Sequence, residues 1–564
     1  MTRTLLVSLE PNMTLVMRFS GLVPPATADL FSSVPKCSFR SRLRAWAVDI
    51  GRLDPQVALF VYDRVLNDVK PAADKLGYNV VFNRQARLHA KQLAEFCASQ
   101  EDDLASRISP VWRESMEGTG FKPYQHQLDA VQHWLDNGAR GLLGHEMGTG
   151  KTLSSILAIH ALKPQDLIVY APASVIPQWR EALLTLLDGY RLEIYDAKNI
   201  PASDPDRPTA LLVSYSKADR LTPTSFEAEM LVCDECHYIK NPKAQRTKAV
   251  LKMAKATPFF LALSGTPIVN RPVDLWPILN LCKPQEFNDW YRFTRKYCNG
   301  HEGKFGYVCD GLSKAGELNE KLASVMHRVR KDECLDLPAK TRVVIPIDHF
   351  QNKYWVDSYY ALREQIAEGE AHFSSLRRFL AHNKITDAVD WVLDFLQSSP
   401  DQKLVVFAHH VEVVNEIINE VNRRGGAKSE HKPIAVGFTG GAEAEERNRA
   451  ISRFQEKQPR KHPVRVFVST IGAAGTGLNL QSASQMLFVE TTYSPGEMLQ
   501  AEDRIHRAGQ TQPCTIHYMV ETGTYDRVLY RLLTKKMDMM NQVIDGDVTG
   551  DLNVFDDLMK EIAA

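Results

Sequence analysis

Gly144-His145-Glu146-Met147-Gly148-Thr149-Gly150-Lys151-Thr152 is the stretch whose reading decides the fold. It follows the apolar run Gly141-Leu142-Leu143 and opens onto Leu153-Ser154-Ser155-Ile156-Leu157-Ala158-Ile159, so it reads as strand, glycine loop, helix. Glycines let backbone N–H groups curl around a phosphate chain, and the helix start points its positive end at the same anion. In such a loop Lys151 reaches the terminal phosphates and the Thr152 hydroxyl holds Mg²⁺. The strict pattern asks for Gly at position 145, where this chain has His145. Taken alone, the stretch also fits a structural turn before a helix.

The rest of the chain sets the context. At 564 residues it exceeds what one core supports, so several compact units are expected. Lys+Arg and Asp+Glu are both 68, so global charge gives no argument for a polyanionic partner and any basic track must be local. Nine cysteines, an odd count with no framework spacing, fit a reducing compartment. Cys233 and Cys236 form a lone C-x-x-C with no second pair at zinc-ribbon spacing, and Cys298 and Cys309, which flank His301, are a slightly better but minor zinc suggestion. No apolar run approaches the length of a membrane span, and the first residues lack a charged-then-apolar leader. A soluble intracellular monomer is expected, in a bacterial cytoplasm or a virus-infected host cell rather than a nucleus.

Residues 1–108 read as a small α+β unit, with strands at 14–19 and 45–48 and helical spacing at 56–68 and 84–98. From there the pattern alternates strand and helix. Apolar strands are predicted at 166–171, 209–215, 229–234 and 259–264, the signature of a parallel sheet covered on both faces. Residues 285–335 are aromatic, basic and irregular, and 350–400 read as helices. A second series has strands near 403–408, 434–439, 465–469, 485–490 and 514–520. The division is therefore 1–108, 109–284, 285–400, 401–545, and an acidic, solvated tail over 546–564.

Two further stretches carry chemistry. Val232-Cys233-Asp234-Glu235-Cys236-His237 ends a strand, where open parallel sheets place their ligands. Asp234 is placed to hold Mg²⁺ through water, and Glu235 to orient and deprotonate an attacking water. Adjacent acids on a buried strand need a cation or a polar partner. Gln500-Ala501-Glu502-Asp503-Arg504-Ile505-His506-Arg507-Ala508-Gly509-Gln510 lies in the second unit. If it is helical, Arg504 and Arg507 share a face, and their guanidinium groups suit the charge on a transferring phosphoryl group.

In this order, these blocks resemble those of superfamily 2 helicase-like ATPases of the Swi/Snf type. Further matching runs are Lys122 to Gln127, Ala171 to Trp179, Leu263 to Pro267, Val405 to His410, Phe438 to Gly441 leading to Arg447, Ser469-Thr470 running to Gly477-Leu478-Asn479-Leu480, and Arg328 to Lys331 leading to Lys340. The resemblance implies two RecA-like parallel-sheet lobes with helical insertions, preceded by the small α+β domain. It implies ATP and Mg²⁺ bound through Gln125, Glu146, Met147, Gly148, Thr149, Gly150, Lys151, Thr152, Gly477 and Gln500, with Asp234 sharing the metal. Lys151, Asp234, Glu235, Arg504 and Arg507 carry the catalytic roles. Pro172, Ala173, Ser174, Ser214, Tyr215, His409, Ser469 and Thr470 fall where relatives meet nucleic-acid phosphates. The implied partner is double-stranded or forked DNA. Phe407 to His410 and Gln500 to Gln510 lean toward the annealing-helicase branch. Phe31, Val34-Pro35, Phe39 and Ala45 to Val48 loosely resemble that branch's HepA-related (HARP) domain. The family's usual Asp is His145 here, and its usual Ala after the acid pair is Cys236. Two alternatives stand beside this reading: an RNA-directed member of the superfamily, and a scaffold that binds forks without turnover.

Overall fold

The computed structural model describes residues 4–10, 14–19, 31, 34, 37–40, 45–49, 55–76, 78–87, 89–91, 123–201, 204, 207–303, 306–426, 433–456, 463–474 and 478–546. The expected acidic tail from 547 onward, Pro35 and Gly477 lie outside these residues.

The N-terminal unit is a mixed sheet of β1 (Thr4–Leu9), β2 (Thr14–Phe19), β3 (Ser38–Arg40), β4 (Ala45–Asp49) and β5 (Asn79–Phe82), in the order β3-β4-β2-β1-β5. A helical stretch from Pro55 to Lys75, with a π turn at Val65–Val69, packs Val61, Tyr62, Val65 and Val69 against Leu5, Val7, Leu15 and Met17. Val57 instead enters the core of the next unit beside Trp134. That contact seats the N-terminal unit on the first lobe.

The first lobe is a seven-stranded sheet in the order β14-β6-β11-β10-β7-β9-β8. Its strands are β6 (Arg140–His145), β7 (Asp166–Ala171), β8 (Arg191–Ile194), β9 (Thr209–Ser214), β10 (Met230–Cys233), β11 (Phe259–Leu263) and β14 (Met326–Val329). Every neighbouring pair runs parallel. The residues of β7, β9, β10 and β11 are all buried, as helices on both faces require. All strands point one way, so the loops after β6, β7, β9, β10 and β11 share the carboxyl edge of the sheet, where α/β folds hold ligands.

The described residues of the stretch read as irregular, 285–335, form regular elements. The stretch holds helices Trp290–Tyr297 and Ala315–Ala323 and a hairpin of β12 (His301–Gly303) and β13 (Gly306–Val308). It ends in β14, which pairs with β6 and places Val329 opposite His145. Met-His-Arg-Val is a short edge strand with polar central residues, so it leaves no apolar run to read.

The second lobe is a six-stranded parallel sheet in the order β15-β20-β19-β16-β18-β17. Its strands are β15 (Lys340–Ile347), β16 (Leu404–Ala408), β17 (Ala435–Phe438), β18 (Val466–Thr470), β19 (Gln485–Phe488) and β20 (Cys514–Glu521). β15 contains Pro346 and is largely exposed, properties a sheet tolerates only at its edge. Helix Ile385–Ser398 covers one face of this sheet, with Ala388, Val389 and Val392 in its core.

The last helix, Tyr525–Ile544, leaves β20 and returns to the first lobe. Leu533 faces the second-lobe core, while Leu529, Leu532, Met539, Met540 and Val543 join the first. Among the described residues no helix is long and apolar enough to cross a membrane.

Candidate active site

The glycine loop joins β6 to helix Lys151–Leu162. Gly148 and Gly150 have φ of 86° and 90°, values a side chain would strain. A Cβ on Gly150 would also lie 2.1 Å from Gln127 Nε2. The Thr149 hydroxyl donates to Glu146 O (2.8 Å), and Lys151 Nζ donates to His145 O (3.0 Å) and Glu146 O (3.3 Å). Thr152 follows in the first turn of the helix, half-buried beside the loop. Met147 approaches Gly265, in the loop after β11, where a Cβ would lie 3.3 Å from Met147 N.

Gln125 does not reach this loop. It is exposed and donates to Asp129 (2.8 Å). The helix Gln125–Asp136 buries Gln127, Ala130, Val131 and Trp134, an i, i+3, i+4, i+7 face, and Gln125 falls on the opposite side. Gln127 instead donates to Thr149 O (3.3 Å), and His126 Nε2 lies 2.9 Å from the same carbonyl. Tyr124, His126, Gln127, Gly148, Thr152 and Ile156 line a cavity of about 440 Å³ alongside the loop.

Asp234 and Glu235 lie at the end of β10. Glu235 sits at φ 48°, a left-handed conformation rare outside glycine and found where function holds it. Asp234 Oδ2 accepts from Trp179 Nε1 (2.7 Å), and Oδ1 accepts from Glu235 N (2.9 Å). Burial and the neighbouring Glu235 charge push the Asp234 carboxyl up, against the pull of Trp179 and Lys151. Burial works the same way on Glu235, but His237, Lys151 and Arg504 outweigh it and hold that carboxyl low. His237 Nδ1 stands 3.3 Å from Glu235 Oε2.

The second lobe brings its arginines to the same place. Helix Pro495–Glu502 ends before them, and residues 503–509 form successive turns and bends, so the two arginines do not share a helix face. Gly509 at φ 92° and the Gln510 amide, which donates to three carbonyls, hold that turn. Arg504 and Arg507 still converge, both donating to Leu478 O (3.4 and 3.3 Å). Arg504 is 5% exposed, its Nε and Nη2 have no hydrogen-bond partner among the described residues, and the Glu235 charge faces it. A Cβ on Gly148 would lie 3.9 Å from both Arg507 Cβ and Ala508 N, so the arginine turn stands directly against the glycine loop. Gln500, also buried, reaches across to Thr266 Oγ1 (3.4 Å).

Polar contacts fix this closure. Lys331 Nζ, just past β14, pairs with Asp503 (2.7 Å) and donates to His506 O (3.0 Å). Arg328 on β14 donates to Gly144 O (2.7 Å) and to Asp545 (2.8 Å), and pairs with Glu146 (3.3 Å). Gly496 N donates to Val269 O (3.2 Å), and a Cβ on Gly496 would lie 3.1 Å from Val269 Cα. Gly496→Val is therefore expected to wedge the lobes apart and lower turnover at least tenfold while nucleotide affinity of the first lobe stays within about threefold; parallel hydrolysis and equilibrium binding assays check this.

Glu502, fully buried, accepts from Lys340 (2.9 Å), from Arg342 (2.7 Å) and from the Tyr518 hydroxyl (2.6 Å). Burial alone would raise this carboxyl, but Lys340, Arg342 and Tyr518 hold it down at about 2. A carboxyl depressed in the folded state stabilises fully above the ordinary carboxylate range, and that contribution is lost as pH falls toward the folded value. Thermal unfolding across pH 7 to 3 is expected to show wild type losing more stability than Glu502→Gln, whose own deficit at pH 7 is about 3–5 kcal/mol from the unpaired cations.

The candidate polymer contacts divide. Ala173 is exposed, Ser174 half-buried and His409 exposed, at the same edge as the cleft. Pro172 is buried. Ser214 is 9% exposed and bonds Ser216. Tyr215 is not a surface residue: it is 2% exposed, stacks between Tyr170 and Tyr238 and donates to Asp234 O (2.7 Å). Ser469 is fully buried and donates to Phe438 O (2.8 Å), and Thr470 is 7% exposed. An aromatic hydroxyl and strand-end serines are equally able to satisfy buried carbonyls, which the sequence pattern does not distinguish. Sequence reading also left Trp179 and Gln127 without roles. A buried indole or amide usually finds a partner, but nothing in the sequence says which residue that partner is.

Two parallel-sheet lobes, with a glycine loop and an acid pair on one wall of a cleft and paired arginines on the other, define the helicase-like class. Residues 124–386 match the SNF2-related domain and residues 387–509 the helicase conserved C-terminal domain, and the chain belongs to the SWI/SNF-related family. It is 30% identical over 539 residues to the SWI/SNF-related matrix-associated actin-dependent regulator of chromatin subfamily A-like protein 1 homolog of Caenorhabditis elegans, covering 92% of this chain and 73% of that one. It is 31% identical to the Xenopus tropicalis protein of that name, over 76% of this chain but 45% of the relative. It is 29% identical to the mouse (Mus musculus) DNA annealing helicase and endonuclease ZRANB3, over 74% of this chain and 40% of that protein. The chain thus spans less than half of those two vertebrate relatives. A solved SWI2/SNF2 ATPase core from Sulfolobus solfataricus in complex with dsDNA aligns over 76% of this chain and 95% of its own at 23% identity, with a TM-score of 0.36.

Proposed function

We propose that the protein is an ATP-driven motor that moves along double-stranded DNA, acting on forked or branched DNA. The observation that carries this reading is Arg504: two guanidinium nitrogens buried without partners among the described residues, facing Glu235 and standing beside the glycine loop across the lobe boundary. Buried unpaired donors of that kind are costly unless an anion arrives between them.

In this reading the triphosphate lies along the loop amides of Gly148 to Lys151. Lys151 trades its two carbonyl acceptors for phosphate oxygens, a stronger charge-assisted bond. The cavity beside Tyr124, His126 and Gln127 takes the base, with Gln127 rather than Gln125 holding the loop beneath it. The donor set suits Mg²⁺: the Thr152 hydroxyl and an Asp234 carboxylate are hard oxygen ligands. No cluster of three or more His, Cys, Asp or Glu among the described residues forms a protein cage, and Mg²⁺ ordinarily keeps most of its waters. Bound there, the ion neutralises charge on the phosphates. Glu235, kept ionised by its cationic neighbours, orients a water and accepts its proton. Arg504 and Arg507 stabilise the charge that develops as the terminal phosphoryl group leaves. Those arginines belong to the other lobe, so hydrolysis requires closure, and closing and opening become the stroke.

DNA crosses the open edges of both lobes near Ala173, Ser174, Ser216 and His409. Contacts to phosphates position without reading bases, so binding is sequence-tolerant and weakens with salt. Residues 1–108 are the candidate fork-recognising unit. ATP hydrolysis measured side by side with no polymer, single strands, duplex, forked DNA and RNA tests the reading. Stimulation greatest with duplex or forked DNA is expected. Greater stimulation by RNA supports the RNA-directed alternative, and no hydrolysis under any condition supports a scaffold.

A further inference from the structure

We infer that Trp179 and Tyr215 are positioning residues that tie two candidate DNA-contact loops of the first lobe to Asp234, so that seating of the polymer sets the grip of the site on Mg²⁺–nucleotide. The inference rests on the motor reading above and adds to it the residues through which track and site communicate.

Two loops at the carboxyl edge of the first sheet each carry an exposed tip and a buried aromatic anchor. After β7 the chain runs through Pro172 and the exposed Ala173 into helix Ile176–Leu186. Val175 N bonds Pro172 O (2.9 Å) and Trp179 N bonds Val175 O (3.1 Å), so loop and first helical turn form one continuous piece. Trp179, 1% exposed, donates its indole N–H to Asp234 Oδ2 at 2.7 Å. After β9 the exposed Ser216 shares a turn with Tyr215, which donates to Asp234 O at 2.7 Å. One residue thus receives a bond on its side chain from one loop and on its main chain from the other.

Geometry favours transmission over simple packing. An indole N–H needs only a carbonyl to be satisfied, as Trp134 shows in the same core by donating to Phe260 O (2.9 Å). Trp179 places its one donor on a carboxylate oxygen instead, where the bond is charge-assisted and more costly to lose. Both anchors are rigid rings in a close-packed interior, so a shift of either loop against DNA phosphates cannot be absorbed by rotamer change and moves the polar atom with it. Linkage makes the effect reciprocal: if duplex tightens Mg²⁺–nucleotide binding, Mg²⁺–nucleotide tightens duplex binding by the same factor.

The test uses the full chain and three variants. Binding of a fluorescent ADP is followed through a Mg²⁺ titration with and without duplex DNA, and duplex affinity is measured with and without Mg²⁺–ADP. Trp179→Phe is expected to raise the Mg²⁺ half-saturation by about tenfold, the loss of one hydrogen bond to a charged group, and to abolish the tightening by duplex. Tyr215→Phe keeps the Mg²⁺ half-saturation within about threefold of wild type without DNA but reduces the tightening. Trp134→Phe removes an equal buried indole from the same core, and is expected to lower the melting temperature while leaving both titrations unchanged. Identical titrations for the Trp179 and Trp134 variants, or full tightening by duplex in Trp179→Phe, overturn the inference. Should Trp179→Phe unfold at assay temperature, undiminished tightening in Tyr215→Phe overturns it. A wild-type chain that binds no nucleotide removes the motor reading itself, a result separable from every one of these.

Discussion

Arg504→Ala is expected to slow ATP hydrolysis by about 10³-fold or more, with nucleotide affinity changed far less. Arg504 is 5% exposed, with burial pulling its basicity down to about 10 against the support of Glu235 and Asp503. Its Nη1 is spent on Leu478 O, while among the described residues Nε and Nη2 have no partner. Two parallel donors held in a dry cleft are preorganised for two phosphoryl oxygens and cost little reorganisation when charge builds there. Arg507 also bonds Leu478 O, so the turn keeps an anchor in the variant. Arg504→Lys is expected to recover little, because an ammonium cannot reproduce the planar fork. Single-turnover hydrolysis, alongside equilibrium binding of a non-hydrolysable nucleotide, measures both quantities. A rate within tenfold of wild type would remove Arg504 from its role.

Glu235→Gln has the second largest expected effect, a loss of about 10²–10⁴-fold in turnover with ATP still bound. Glutamine keeps the shape of the side chain but cannot take a proton. The left-handed backbone at Glu235, φ 48°, costs about 1–3 kcal/mol and turns the carboxylate toward His237 and Arg504 while Asp234 keeps its bonds to Trp179 and the backbone. Adjacent acids would otherwise point to opposite sides of an extended chain. The variant should trap ATP in the cleft, so stable co-elution of intact ATP after incubation checks the prediction. Unchanged turnover would assign the proton to another group.

Much of the architecture was readable from apolar runs. Strands predicted at 166–171, 259–264 and 403–408 correspond closely to β7, β11 and β16, because a strand buried on both faces leaves a continuous hydrophobic signature. β14 and β15 escaped reading for the opposite reason. Each is an edge strand with charged residues, and β15 contains a proline. The site was readable as an order of residue types along the chain, and the fold brings Lys151, Asp234, Glu235, Arg504 and Arg507 around one cleft. Orientation was not readable. Gln125 and Gln127 lie two residues apart on one helix, and at 100° per residue their side chains diverge by about 200°, so only one of them faces the loop. Tyr215 and Ser469 stand where the resemblance implies nucleic-acid contacts, yet each satisfies a buried carbonyl. His145 departs from the expected residue and is accommodated by His327, whose Nδ1 lies 3.0 Å from its Nε2, a partner 182 positions away.

The returning helix Tyr525–Ile544 has a mechanical meaning. The lobes are joined covalently once, through the segment between Val329 and Lys340, and this helix fastens them again, with Asn319 Nδ2 holding Val543 O at 2.9 Å and Asp545 gripping Arg328. A body pinned at two places swings about the line through the pins and resists twisting about any other. In the proposed motor, closing and opening would then run about that line, as a door does on paired hinges. Such a constraint would give the proposed cycle one repeatable direction of opening, which a tether at one point alone does not provide.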